Sequence, residues 1–152
     1  MTPPPGNTPG YYEGYRISKW NTPISTALKG SFLIVDKLLV TPLHTAEQRG
    51  SQTLKIEIRD VYKPGVVAIS FYTCITLRII EEFYFSGGFE GDIRQLGNTL
   101  IVDNSPWIAK LKEKSPTFDG CAPLDAKHYF ILTDDYTIEI ISASTPVIEI
   151  LD

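Results

Sequence analysis

Lys127-His-Tyr-Phe-Ile-Leu-Thr-Asp-Asp-Tyr-Thr-Ile-Glu-Ile-Ile-Ser142 reads as a β-hairpin whose register is visible in its own pattern. With Asp134 and Asp135 at the turn, Thr133 faces Tyr136, Leu132 faces Thr137, Ile131 faces Ile138, Phe130 faces Glu139 and Tyr129 faces Ile140. Side chains alternate across a strand, so Tyr129, Ile131, Ile138 and Ile140 gather on one face as an apolar patch. The other face, with His128, Phe130, Leu132, Thr137, Glu139 and Ile141, is mixed. A slip of one residue would scatter the apolar set, so the pattern selects the register.

The segments upstream follow the same logic. Thr53-Leu-Lys-Ile-Glu-Ile-Arg59 alternates cleanly, with Leu54, Ile56 and Ile58 inward and Lys55, Glu57 and Arg59 outward. Lys63-Pro64-Gly65 is a turn signal, Pro presetting φ and Gly supplying a positive one. Val66 to Ile80 is apolar with Arg78 as its only charge, which predicts a central, bent strand. Glu81-Glu82 and Phe83-Tyr-Phe85 extend it toward a break at Ser86-Gly-Gly88. Phe32 to Val40, ended by Pro42, fits a strand or a short helix by periodicity, and its Val and Ile content favours strand. Residues 41–52 then read as an exposed connection. Thr99–Val102 is a short buried strand, and Val147–Leu151 a short last one at an edge.

Asp103-Asn-Ser-Pro-Trp107 opens a helix over residues 105–114. Ser105 caps the free amides, Pro106 suits the first helical position, and Lys110, Lys112 and Lys114 suit the negative end. Trp107, Ile108 and Leu111 form the face turned to the sheet. The fold class is therefore mainly β: a single antiparallel β-sandwich or half-barrel with one short helix, a two-layer α+β sheet being second. Its expected core is Ile56, Ile58, Ile69, Phe71, Ile75, Leu77, Leu100, Val102, Trp107, Tyr129, Ile131, Ile138 and Ile140. Residues 1–10, with four prolines and two glycines, read as a flexible arm, and 11–152 as one globular domain. Tyr11, Tyr12 and Tyr15 either pin that arm or offer an aromatic contact surface.

A chain of 152 residues can bury about 70% of its unfolded surface, enough for a core without staples. The net charge of −4 and the scattered lysines weigh against nucleic acid as a partner, which needs clustered cations. No span reaches the roughly 18 apolar residues of a membrane helix, and the start has no basic and apolar leader, so a cytoplasmic protein is expected. Cys74 lies in an apolar run and Cys121 in a probable loop; without export signals, both are expected reduced.

Candidate chemistry is sparse. No Ser or Cys sits in a nucleophile elbow, and Gly87-Gly88-Phe-Glu-Gly91 lacks the Lys-Ser/Thr of a phosphate loop. Two histidines and two isolated cysteines do not make a zinc signature. Glu81, Glu82, Glu90 and Asp92 would hold calcium only if the fold converged them. No metal and no cofactor is expected. His44 reads as a solvated loop residue. His128, beside Glu139 on the mixed hairpin face, is the one general-base candidate.

Thr76-Leu-Arg-Ile-Ile-Glu-Glu82, the Ser105-Pro-Trp107 helix start, His128-Tyr129 on a strand, the acidic turn and Ile138-Glu139-Ile140 together resemble small uncharacterised bacterial proteins. Some of these are encoded beside toxins and taken for immunity proteins. The resemblance covers residues 70–150 and implies a non-enzymatic binding protein; it carries over no site residue.

Three functional readings follow. The first is a non-enzymatic interaction protein, immunity-like, with a basic protein partner met by Tyr11, Tyr12, Glu81, Glu82, Glu90 and Asp92, a homodimer being a further option. The alternative is a small-molecule or carbohydrate-binding β module using Trp20, Trp107 and Tyr11 or Tyr12 as a stacking platform. The third is a hydrolase in which His128 takes a proton from water while Glu139 holds the ring. That last reading requires His128 to open onto a concave pocket, and burial against aromatic neighbours would end it.

Overall fold

The computed structural model describes residues 16–24, 32–42, 52–81, 97–114 and 126–151. Eight strands of these residues pair antiparallel in one sheet. They are β1 (Ile17–Lys19), β2 (Leu33–Pro42), β3 (Gln52–Asp60), β4 (Val66–Glu81), β5 (Thr99–Val102), β6 (Lys127–Leu132), β7 (Tyr136–Ser142) and β8 (Val147–Leu151). A helix, α1 (Pro106–Lys114), lies between β5 and β6. The strand order is β1-β5-β6-β7-β4-β3-β2, with β8 also on β4. The protein is thus mainly antiparallel β with one short helix among the described residues. That helix is too short to cross a membrane.

The hairpin of β6 and β7 has the register read from its sequence, with Ile131 opposite Ile138 and Tyr129 opposite Ile140. β3 alternates as expected: Leu54, Ile56 and Ile58 are fully buried. Gly65 in the turn before β4 has φ of 97°, the left-handed conformation that glycine adopts without strain.

β4 turns one sheet into two layers. Its 16 residues would span roughly 50 Å if straight. The first half pairs with β3 on one edge and with β8 on the other. The second half pairs with β7, which lies end to end with β8. Both ladders shift register around residues 72–75, and such bulges bend a strand. The bulged Thr73 is held by the β7–β8 joint: its N–H donates to Ser144 Oγ at 2.9 Å, and its carbonyl accepts from Ala143 N–H at 2.9 Å. Past this corner, β2, β3 and the start of β4 face β6 and β7. Between them lie Leu54, Ile56, Ile58, Ile69, Phe71, Tyr129, Ile131, Ile138 and Ile140. Phe71 and Tyr129 rings meet at 5.3 Å, and Trp20 fits against both.

An acidic clasp closes the far side. The N–H of Asp134, in the hairpin turn, donates to Leu33 O at 2.8 Å, and Leu33 N–H donates to Asp134 Oδ2 at 2.7 Å. Val35 N–H donates to Asp135 Oδ1 at 3.2 Å. Three strand spacings separate β7 from β2 in the sheet, about 14 Å if flat, so these bonds exist only because the sheet curls.

Three expectations are corrected. Ile75 and Leu77 are half-buried: Ile75 lies at the bulge between Cys74 and Thr76, and Leu77, opposite Ile140, packs against the margin of the core. Trp107 is also half-buried, lying over the outer face of the second layer instead of in the core. That mixed outer face is itself covered: Phe130, Leu132 and Ile141 are buried, and Leu100, Val102, Phe130 and Leu132 form a second apolar cluster.

Cys74, at the corner, is a free and buried thiol whose Sγ lies 3.6 Å from Thr76 O. Burial pushes its pKa from 9.0 to about 11, partly offset by a hydrogen bond with Gln52. The raised value means the folded state holds its proton where the unfolded chain releases it. Stability from this group is complete below pH 9.0 and is lost as pH rises toward about 11. Urea midpoints at pH 8 and pH 10.5 should therefore fall further apart for the wild type than for Cys74→Ala.

Candidate functional site

Sheet register builds the polar cluster on the outer face of the second layer. Arg78 of β4 sits opposite Glu139 of β7, and Glu139 sits opposite Phe130 of β6. His128 is two residues from Phe130 on the same strand, so it shares that face and lies diagonal to Glu139. Ser105, the N-cap of α1, arrives from above. Its Oγ accepts Ile108 N–H at 3.0 Å, the capping bond expected from the sequence.

The contacts form a continuous chain. Ser105 Oγ is 2.7 Å from His128 Nδ1, and His128 Nε2 is 2.9 Å from Glu139 Oε1. Arg78 Nε donates to Glu139 Oε2 at 2.8 Å. Oγ accepts from the helix, and its own hydroxyl hydrogen is within reach of Nδ1. The Nε2–H tautomer of His128 satisfies both contacts, accepting from Oγ at Nδ1 and donating from Nε2 to the carboxylate. Around this line, His128 stacks on Phe130 at 5.1 Å and meets the Trp107 ring edge-on at 5.4 Å. The Arg78 guanidinium lies 4.0 Å from the Trp107 ring centre, a cation–π contact.

Glu139 thus holds the His128 ring, as the sequence suggests, but His128 itself is 0% exposed. An imidazole with no solvent access cannot take a proton from a substrate water, so the direct general-base reading fails on geometry. What the sequence reading missed is Ser105. Its only signal there was the Ser-Pro helix start, which gives a cap and says nothing of a histidine 23 residues on. Ser105 also lines an open pocket of about 410 Å³, together with Ile101, Asp103, Ile108 and Lys127.

Other expected positions do not converge. Trp20 packs in the inter-layer core and Trp107 on the outer face, so the two rings make no common stacking platform. Glu81 ends β4 opposite Tyr136. Tyr11, Tyr12, Glu82, Glu90, Asp92, His44 and Cys121 lie outside the described residues. Among the described residues, no group of three or more ligating side chains is placed to hold a metal.

A second feature lies at the β3–β4 turn. Four large apolar side chains are exposed there: Phe32 at 42%, Val61 at 40%, Tyr62 at 71% and Ile150 at 70%. Val61 N–H donates to Phe32 O at 3.0 Å, which joins the two strands' ends. Beside them opens a concavity of about 230 Å³, floored by Ile24, Leu33, Ile58 and Val67, with Ile150 and Lys63 on its walls.

No family model, no curated protein and no solved structure matches the chain.

Proposed function

We propose that this protein is a binding module for another protein, engaged through the apolar end at the β3–β4 turn. The observation that carries this reading is the gathering of Phe32, Val61, Tyr62 and Ile150 around a pocket that reaches the core. Exposed apolar groups scattered singly need no explanation; a cluster beside a pocket marks a contact surface. A cavity of roughly 150 Å³ accommodates a benzene ring, so this one has room for a single large apolar side chain. Lys63 on the rim has no ion-pair partner among the described residues. The partner that fits is therefore a protein segment with one aliphatic or aromatic anchor next to a carboxylate. A basic partner, expected from Glu81, Glu82, Glu90 and Asp92, rests on the sequence alone.

Tyr62→Ala with Ile150→Ala tests the surface. Both side chains are largely in water, and surface substitutions of this kind usually change stability by no more than about 0.5 kcal/mol. A partner captured by the wild type and identified should lose at least about 2 kcal/mol of affinity, the scale of an interface hot spot. Titration calorimetry with the purified pair decides. Unchanged affinity for the double variant, with circular dichroism also unchanged, removes this surface from the function.

A further inference from the structure

We propose that Ser105 is an activated nucleophile that accepts acyl groups from small esters in the pocket beside β5 and α1. This site is independent of the binding surface at the β3–β4 turn. Ser105, His128 and Glu139 are joined by contacts of 2.7 and 2.9 Å in the order nucleophile, base, carboxylate. That constellation is recognised by geometry and role, and it recurs on unrelated folds with its members in any sequence order. The burial that bars His128 from water does not bar this route, because the base has only to reach the serine. Ser105 is the one member of the three that lines the pocket of about 410 Å³.

Each part has a defined task. His128 Nδ1 takes the hydroxyl proton as Oγ attacks the ester carbonyl, and Glu139 supports the imidazolium through Nε2–H. Arg78 Nε donates to the second oxygen of Glu139 at 2.8 Å, which keeps the carboxylate aimed. The Ile108 N–H on Oγ and the positive end of α1 favour the developing alkoxide. Pro106 has no N–H, so the amide that follows many nucleophilic serines is absent here. Of the side chains lining the pocket, Lys127 is the cation left to meet the carbonyl oxygen. On collapse, the C–O bond to the alcohol breaks and an acidic alcohol such as a phenol leaves as its anion, while the proton taken from Oγ stays on His128 Nδ1 beside Glu139. The acyl group stays on Oγ.

The pocket selects the substrate class. Ile101, Val102 and Ile108 give it apolar walls, and Lys127 stands at its margin. A short acyl chain with no bulky branch suits it, and a carboxylate on the alcohol side would meet Lys127.

The test uses the full chain with p-nitrophenyl acetate and, separately, a fluorophosphonate probe. Intact-mass and peptide analysis should show a single adduct on Ser105, with a burst of about one nitrophenolate per protein, the kinetic mark of an acyl-enzyme. Ser105→Asn keeps a good helix cap but has no hydroxyl, so it should fold and take no adduct. His128→Gln should lower the labelling rate of Ser105 by at least about 100-fold, the usual share of a positioned base. Should His128→Gln unfold, the wild type against Ser105→Asn decides alone, by whether the fluorophosphonate adduct falls on Ser105. Adducts on lysines alone, or wild-type labelling no faster than Ser105→Asn, overturn the proposal.

Discussion

Glu139→Ala should cost about 3–5 kcal/mol, the loss expected when one partner of a buried ion pair is removed. Glu139 is 1% exposed, and its two oxygens receive Arg78 Nε and His128 Nε2. Truncation leaves the buried His128 N–H and the guanidinium of the partly exposed Arg78 facing a gap where the carboxylate was. The penalty is the desolvation of the groups left behind, not the strength of the bonds lost. Glu139→Gln separates the two: its amide retains the shape and part of the bonding, so it should lose less than the alanine variant. Urea unfolding of the three proteins at pH 7 measures both losses. An alanine variant within about 1 kcal/mol of the wild type would show that Arg78 and His128 find water.

Ile138→Ala is expected to cost about 2–5 kcal/mol, the range for truncating a well-packed isoleucine. Ile138 is fully buried at the centre of the second layer, opposite Ile131 on one side and Ile79 on the other. It shares the inter-layer core with Phe71, Tyr129, Ile131 and Ile140. The same urea titration reads this loss. A change below about 0.5 kcal/mol, the scale of a surface substitution, would place Ile138 on the wrong face and the hairpin in the wrong register.

These two neighbours in sequence show what a single chain discloses. Ile138 was legible because alternation alone turns it toward Tyr129, Ile131 and Ile140. The mixed face was also legible as a list of residues, but not as a buried surface. Phe130, Leu132 and Ile141 next to His128, Thr137 and Glu139 look half-solvated until α1 and its Trp107 are laid over them. The cap of α1 was readable from Ser105 and Pro106, since capping is local. The meeting of Ser105 with His128 was not, because it depends on where the helix lands on the sheet. Likewise Val66 to Ile80 announced a long bent strand, while the position of the bend waits on serines 142 and 144, far along the chain. Local rules reached the strands; long-range placement made the site.

The clasp at Asp134 and Asp135 has a consequence for how the molecule assembles and comes apart. Its hydrogen bonds join residues 100 and 101 positions apart, Val35 with Asp135 and Leu33 with Asp134. Contacts across such distances form late, because the entropy of closing the intervening chain must be met before they contribute. The two layers can build separately, each on its own half of β4, and the clasp then seals them. The same bonds tie down the start of β2, the last strand of the sheet among the described residues, whose edge would otherwise template a second copy. While the seam is open, that edge is bare. The two aspartates thus guard the edge only once the seam is sealed, and the slow interval before that is when the chain is most exposed to pairing with the wrong molecule.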